Sequence, residues 1–464
     1  MKIKSLYFIG IKGVGMSALA LLCQKQGMKV IGSDREEEYL TDKILAKAKI
    51  EILPGFDKNN LIDKCDAVVV SAAYGEENPE VKEAKRRKIP LYYYSEFLGK
   101  IASSKRLITV TGTHGKTTTA SLMAFILKEA GVDPCYLVGS PSSSLRKNAN
   151  WGKGDYFVVE ADEYKKSPHD NTSKLFDLWP EIIVFTSLEM DHPDLFATER
   201  DIYSVFYKYV IRLPRWGTVF VNLDYPWLRK LKNSISDRSF ISYGRQPGCD
   251  WQIVEEEIKE GGSQFSLFHD KTSFGPFRLK IPGLYNVENA TAALLVGAKI
   301  GLTFEQIRKI LPKFKGIKRR FEYKGETTKG AIIIDDYAHH PTAIGKVIKT
   351  AKELYPKKKL WAVFQPHTYS RTKKLLPQFA QSFSGANHVI LADIFASARE
   401  REKTISIQDL VKATRRFNRD VRYLGGFDNI IRFLEGILSS DDLVLVMGAG
   451  DIYKIEEQLL KHDD

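Results

Sequence analysis

The sequence predicts an α/β protein built from doubly wound parallel sheets in three successive domains. Apolar strands alternate with helix-patterned stretches along the whole chain, almost every strand ends in polar functional groups, and 464 residues are too many for one hydrophobic core. The composition, 43% hydrophobic and 27% charged, is that of a soluble globular enzyme, with no apolar run long enough to span a bilayer. The opening Met1 to Gly10 reads as a strand rather than a signal peptide, so the cytoplasm is the expected location. Cys23, Cys65, Cys135 and Cys249 have no metal or disulfide spacing and are expected to be buried free thiols. The net charge of +13 is scattered in short groups such as Lys85 to Lys88, without interleaved stacking aromatics. It reads as solvated helix faces that also attract polyanionic nucleotides, with no nucleic-acid partner.

In the first block, residues 1–102, the strands Leu6 to Ile9, Val30 to Asp34 and Ala67 to Val70 indicate a Rossmann-like domain, the last strand ending at Ser71. Its loop, Gly10-Ile11-Lys12-Gly13-Val14-Gly15-Met16, is spaced Gly-x-x-Gly-x-Gly rather than as the dinucleotide fingerprint. A diphosphate-containing ligand fits there better than NAD. The central block, 103–318, carries the strands Leu107 to Thr111, Phe157 to Val159 and Ile182 to Phe185 and is expected to be a P-loop ATPase-type parallel sheet domain. The third, 319–464, repeats the grammar with Ala331 to Ile334, Leu360 to Phe364 and Leu443 to Val446, giving a C-terminal Rossmann-like domain.

The segment Thr111-Gly112-Thr113-His114-Gly115-Lys116-Thr117-Thr118-Thr119 turns a strand into a phosphate-binding loop. Gly112 and Gly115 let the backbone approach an anion, Lys116 supplies a cation for the outer phosphates, and the Thr117 hydroxyl stands where Mg²⁺ would sit. Ala120, Met123, Ala124 and Leu127 then recur at helical spacing before Gly131, so a helix N-terminus adds its dipole. Val110 stands where the strict pattern wants a glycine, which makes this a shorter variant.

Strand ends beyond the loop carry more chemistry, and in open parallel sheets such ends converge on ligand clefts. Glu160-Ala161-Asp162-Glu163 and Glu189-Met190-Asp191-His192 gather carboxylates and an imidazole suited to Mg²⁺, and with Thr117 they make a two-metal site for a nucleoside triphosphate. In the third block, Asp335 to Pro341 and Gln365 to Thr372 bring together carboxylates, imidazoles and Arg371, groups that orient an amine and clamp a carboxylate. A nicotinamide oxidoreductase would leave the Lys116 loop unused, and a P-loop ATPase acting on nucleic acid would leave the third block's histidines and arginine without a role.

Taken together with Gly448-Ala449-Gly450-Asp451-Ile452, these motifs resemble those of the Mur ligases, ATP-dependent amide-forming enzymes of peptidoglycan synthesis, over essentially the whole chain. The resemblance implies a UDP-sugar on the first domain, ATP with Mg²⁺ on the second and the incoming amino acid largely on the third, in a monomer or homodimer. Gly112, Thr113, His114, Gly115, Lys116, Thr117 and Thr118 would hold ATP, with Asn286 and Asn289 at its adenosine end and Arg320 on its phosphates. Thr117, Glu160 and His192 would hold metal. Gly13, Gly15, Met16, Ser17, Asp34, Ser71 and Glu163 would meet substrate, and Tyr337, His339 and Arg371 the amino acid. Lys116, His192, His339 and Arg371 would be the catalytic set, and the reaction would pass through an acyl phosphate. Tyr285 and Thr368 stand where relatives often carry histidine and arginine, and Phe206 stands where some carry a carbamylated lysine. The N-terminal loop and Phe364 to Thr372 resemble the members that join L-alanine to UDP-N-acetylmuramate. Segments 163–176 and 188–196 resemble those that attach a whole tripeptide. Because the third domain chooses the amino acid, L-alanine is the expected acceptor and the tripeptide the alternative.

Overall fold

Three sheets follow one another along the chain in this computed structural model, which describes residues 3–39, 41–61, 65–259, 261–396 and 403–460. The termini of the first and third expected domains lie outside these residues. The first sheet holds β1 (Ser5–Ile9), β2 (Lys29–Asp34), β3 (Glu51–Pro54), β4 (Ala67–Val70) and β5 (Leu91–Tyr93), all parallel, in the order β3-β2-β1-β4-β5. Strand order reverses beside β1, which leaves the Gly10 loop at a switch point.

The central sheet comprises β6 (Arg106–Thr111), β7 (Cys135–Leu137), β8 (Ala149–Asn150), β9 (Tyr156–Glu160), β10 (Ile182–Phe185), β11 (Thr218–Asn222), β12 (Ser239–Gly244), β13 (Trp251–Lys259), β14 (Gly262–His269) and β15 (Thr272–Leu279). Their order is β15-β14-β13-β12-β11-β10-β6-β9-β7-β8, so the phosphate-loop strand β6 lies between β9 and β10. Helix Lys116–Glu129 is buried throughout from Thr117 to Leu127, against the equally buried helix Leu284–Lys299. The sheet extends further than the sequence reading, through the antiparallel run β13 to β15. Its β14–β15 turn puts Asp270 and Lys271 at φ 45° and 62°, a left-handed pair that asparagine and glycine usually mark.

The third sheet holds β16 (Glu322–Glu326), β17 (Ile332–Asp336), β18 (Lys359–Phe364), β19 (His388–Leu391), β20 (Val421–Tyr423) and β21 (Asp442–Met447), in the order β16-β17-β21-β18-β19-β20. Only β16 is antiparallel, and the sheet is packed on both faces. No helix among the described residues is long and apolar enough to cross a membrane.

The two junctions between sheets differ in kind. The first and central sheets share one apolar cluster that runs from Phe8 through Phe97 and Leu98 to Phe157 and Leu175. Helix Tyr94–Ala102 sits so tightly on this junction that a Cβ at Gly99 would stand 2.1 Å from the Asp177 carbonyl oxygen. Ser95 Oγ donates to Asp177 at 2.6 Å, and Lys166 bridges Glu96 and Asp177. Among the described residues, the third sheet shares no buried core with the central one and meets it through polar contacts, among them Lys346 Nζ to the Tyr225 hydroxyl at 3.0 Å and His340 Nε2 to the Met190 carbonyl at 3.0 Å, and through Met190 and Tyr285, which pack against its core. Polar junctions of this kind permit relative domain motion, whereas a shared apolar core does not.

Within the third domain, Asp335 on β17 and Glu456 on helix Lys454–Leu459 are both buried, and each leaves one oxygen, Asp335 Oδ1 and Glu456 Oε1, without a donor. Arg319 lies 3.2 Å from Asp335, and Lys324 lies 3.7 Å from Glu456. Burial, then the charge of Asp335, push the Glu456 carboxyl up to about 8, so one shared proton satisfies both orphan oxygens. An unfolded glutamate titrates near 4.3, so the folded state holds the extra proton between about pH 4.3 and its raised value. The contribution of this carboxyl to stability is therefore fully present below that window and is lost as pH rises through it, by up to about 1.4 kcal/mol per pH unit. Glu456→Gln should flatten this slope: urea midpoints at pH 5 and pH 8.5 should differ less in the variant than in the parent, and equal slopes would refute the shared proton.

Candidate functional site

The phosphate loop is shaped by its neighbours. Gly112, at φ 129°, has no room for a Cβ, which would stand 2.5 Å from Thr186 Oγ1, and Gly115, at φ 79°, caps the following helix with Asn289 Oδ1 at 2.3 Å from its would-be Cβ. Lys116 Nζ donates to the Gly112 carbonyl at 2.6 Å and pairs with Glu163 at 3.1 Å. Burial alone would lower its pKa, but Glu163, Asp162 and Glu160 outweigh burial and keep it protonated. The Thr113 and His114 amides are taken by the Ser187 carbonyl and hydroxyl. Anion binding therefore falls to the helix-start amides of Lys116, Thr117 and Thr118, which no helical turn satisfies.

Several residues expected on ATP also hold partners within the protein. Thr113 turns its hydroxyl to the Glu189 backbone, donating to the carbonyl at 3.1 Å and accepting from the amide at 2.9 Å. His114 turns its ring to Glu189 Oε2, 2.9 Å away, and lies beside the His340 ring. Asn289 accepts from Thr119 Oγ1 at 3.1 Å and donates to Asn286 Oδ1, while Asn286 donates to the Pro282 carbonyl. Both amides thus brace the loop and its helix. Arg320 lies over the Tyr337 ring at 5.1 Å, and its charge reaches Glu160 and Asp336.

Two acidic groups stand beside Lys116. Glu160 accepts from Thr117 Oγ1 at 2.8 Å and from the Gly139 amide at 2.6 Å. Asp162, Glu163 and His192 present ligand atoms within 4.8 Å of one another, so Glu163, expected on substrate, sits in the charged cluster. Burial would raise the Asp162 carboxyl, but Lys174, Lys116 and His192 hold it at about 2. Oxygen-rich donors of this kind next to the phosphate loop fit a hard divalent cation such as Mg²⁺. His192 is held at φ 52°, an unfavourable conformation for a residue with a side chain. A cavity of about 430 Å³ opens beside Glu163 and is lined also by Lys165, Asn171, Asp194 and Phe196.

Across the junction, Arg371 donates from Nε to Asp191 Oδ1 at 2.9 Å and places Nη2 equally close, with both side chains 6% exposed. Burial would raise the Asp191 carboxyl, but Arg371 and the neighbouring imidazoles hold it well below the usual range. His339 Nδ1 lies 2.9 Å from the Tyr337 carbonyl, an acceptor, so this nitrogen carries the proton and Nε2 keeps its lone pair. Burial, then Arg371, hold His339 well below its usual pKa and therefore neutral.

In the first domain, Gly13 caps helix Val14–Lys25, and Gly15 lies against the Tyr94 ring. Met16 and Ser17 are buried within that helix, with Ser17 Oγ bonded to the Val14 carbonyl. Asp34, expected on substrate, accepts from the Lys12 and Arg35 amides and the Tyr74 hydroxyl, which closes the Gly10 loop. Ser71 ends β4 with its amide on the Ile9 carbonyl. Sequence reading missed Tyr94, Gly139 and Lys174, whose proximity to the carboxylates depends on tertiary contact. Phe206 fills the core against Phe185, so that position offers no amine.

Fold and site together define a three-domain ligase built around a phosphate loop. Residues 5–106 match the Mur ligase family, catalytic domain, residues 110–297 the Mur ligase middle domain and residues 319–450 the Mur ligase, glutamate ligase domain. The UDP-N-acetylmuramate--L-alanine ligase of Desulfitobacterium hafniense (strain Y51) is 39% identical over 98% of this chain and 99% of its own. That of Alkaliphilus metalliredigens (strain QYMF) is 38% identical over 99% and 97%. The chain belongs to the Mur ligase family. Its fold is similar to that of the Thermotoga maritima UDP-N-acetylmuramate-alanine ligase, with a TM-score of 0.81 at 23% identity over 98% of each chain. A murein peptide ligase from Psychrobacter arcticus 273-4 follows it with a TM-score of 0.73 at 26% identity over 98% of each.

Gly115→Ala tests the loop geometry. A left-handed alanine costs about 1–2 kcal/mol and its methyl collides with Asn289. Titration with a fluorescent ATP analogue should show affinity reduced tenfold or more while the circular dichroism spectrum is retained, and unchanged affinity would refute the assignment.

Proposed function

We propose that this chain joins the carboxylate of UDP-N-acetylmuramate to L-alanine at the expense of ATP, in the cytoplasm, for peptidoglycan precursor synthesis. Domains 1–102, 103–318 and 319–464 would carry the UDP-sugar, the ATP and the amino acid. The observation that carries the reading is the confrontation, across one junction, of the Lys116 loop and its carboxylates with His339 and Arg371. The names borne by relatives 34–39% identical over nearly the whole chain support it.

A sugar carboxylate oxygen would attack the γ-phosphorus and release ADP, forming an acyl phosphate. The amine of L-alanine would then attack the acyl carbon and expel phosphate. Lys116 and the helix-start amides would hold the phosphates in line and neutralise them, which is most of what phosphoryl transfer asks of a protein. Mg²⁺, held by Thr117 and Glu160 and by Asp162, Glu163 and His192, would supply further charge neutralisation. Arg371 would hold the amino-acid carboxylate, and neutral His339 would accept a proton from the amine at Nε2. The tripeptide alternative is supported by the likeness to a murein peptide ligase and by the cavity beside Glu163.

The test is phosphate release by the full chain. It should require UDP-N-acetylmuramate and L-alanine together, and release driven only by the tripeptide, by DNA or by no acceptor would overturn the reading. Lys116→Ala should lower turnover roughly a thousandfold.

A further inference from the structure

The segment Glu189-Met190-Asp191 touches both sides of the junction. Toward the phosphate loop, Glu189 is held by Thr113 through its backbone and by His114 through Oε2 at 2.9 Å. Toward the third domain, the Met190 carbonyl receives His340 Nε2 at 3.0 Å and Asp191 receives Arg371. Asp191 Oδ1 also accepts the His192 amide at 2.7 Å, which fixes the carboxylate before the arginine reaches it. Arg371 Nη1 instead meets His367 Nδ1 at 3.5 Å. A buried ion pair adds little net stability once desolvation is counted, so this one is better explained by the geometry it imposes on the guanidinium. Its five donors are more than one carboxylate uses, and Asp191 engages only the Nε and Nη2 edge.

We infer that Asp191 is a positioning residue for the acceptor: it fixes Arg371 for the amino-acid carboxylate and, through Glu189, links that arginine to the phosphate loop, so that amino acid and nucleotide bind cooperatively. This rests on the ligase reading above. By reciprocity, L-alanine must tighten nucleotide binding by the same factor as nucleotide tightens L-alanine. The segment is the physical element that both sites bias. Arg371 can be held only when the third domain is docked, and His114 and Thr113 register the same three residues from the opposite side.

The experiment uses the full chain with saturating UDP-N-acetylmuramate. The dissociation constant of a non-hydrolysable ATP analogue is measured with and without L-alanine, alongside steady-state kinetics. The parent should bind the analogue several-fold more tightly with L-alanine present. In Asp191→Asn that ratio should collapse to about one and KM for L-alanine should rise at least tenfold, with KM for the UDP-sugar changed less than twofold. A folded Asp191→Asn protein with unaltered KM for L-alanine and an unaltered ratio would overturn the inference, as would a parent ratio of one. Should Asp191→Asn fail to fold, Glu189→Gln, which spares the arginine pair, decides: a collapsed ratio supports the link and an unchanged ratio refutes it. Absence of L-alanine-dependent phosphate release in the parent would instead remove the ligase reading, so the two failures are distinguishable.

Discussion

Glu160, Asp162, Glu163, Glu189 and Asp191 converge from the ends of the two strands that flank β6, and their mutual repulsion is the constraint to which the rest of the site responds. Glu160 is answered by the Thr117 hydroxyl and the Gly139 amide, and each of the other four by its own basic side chain. Lys116 reaches Glu163, Lys174 lies 3.6 Å from Asp162, His114 meets Glu189 and Arg371 meets Asp191. The first two cations come from the central domain itself, and the last from a domain 180 residues away in sequence. Docking of the third domain therefore completes the charge balance of the second. Because desolvation offsets most of the attraction between such buried charges, the pair fixes where the third domain docks more than it drives the docking.

The contrast between the junctions follows from the same logic. The first domain shares an apolar core with the second, and a glycine at 99 is needed for their backbones to touch, so the two form one platform. The third domain brings Lys346, His340 and Arg371 to polar acceptors, and Tyr285 packs its ring against the third domain's core. Closure over the proposed acyl phosphate would need a surface that can part again, and hydrogen bonds that water can replace serve this better than a fused core.

Much of this was legible in the sequence because parallel strands announce themselves. Ile182 to Phe185 and Leu443 to Val446 are uninterrupted apolar runs, since both sheet faces are covered, and the loop at Gly112 to Lys116 carries its glycines and lysine in order. The strands β13 to β15 were not legible. Glu255, Glu256 and Glu257 interrupt the alternation of β13, and the Asp270-Lys271 turn between β14 and β15 lacks the usual residues. At the site, residue types were readable and pairings were not. His114 and Asp34 have the chemistry of ligand contacts, and their pairing with Glu189 and with the Lys12 amide could not be read from spacing. Whether a polar group faces a ligand or a neighbour depends on tertiary distances, which spacing along the chain does not encode.

In the proposed reaction, Arg371 and His339 would be closely interlocked. An amine attacks only when deprotonated, so the imidazole beside it must be neutral before the amino acid arrives. Burial does most of this, and the positive charge of Arg371 adds to it. The cation that would bind the amino-acid carboxylate is thus also one that keeps the base unprotonated. Left unopposed, the guanidinium would disfavour the imidazolium formed as the amine gives up its proton, and the base would accept it poorly. Asp191 moderates that field while leaving Arg371 charged, since a neighbouring carboxylate raises the imidazole's affinity for a proton as the arginine lowers it. A single carboxylate, placed by the central domain, would in this way set both the orientation of the acceptor's anchor and the basicity of the group beside it.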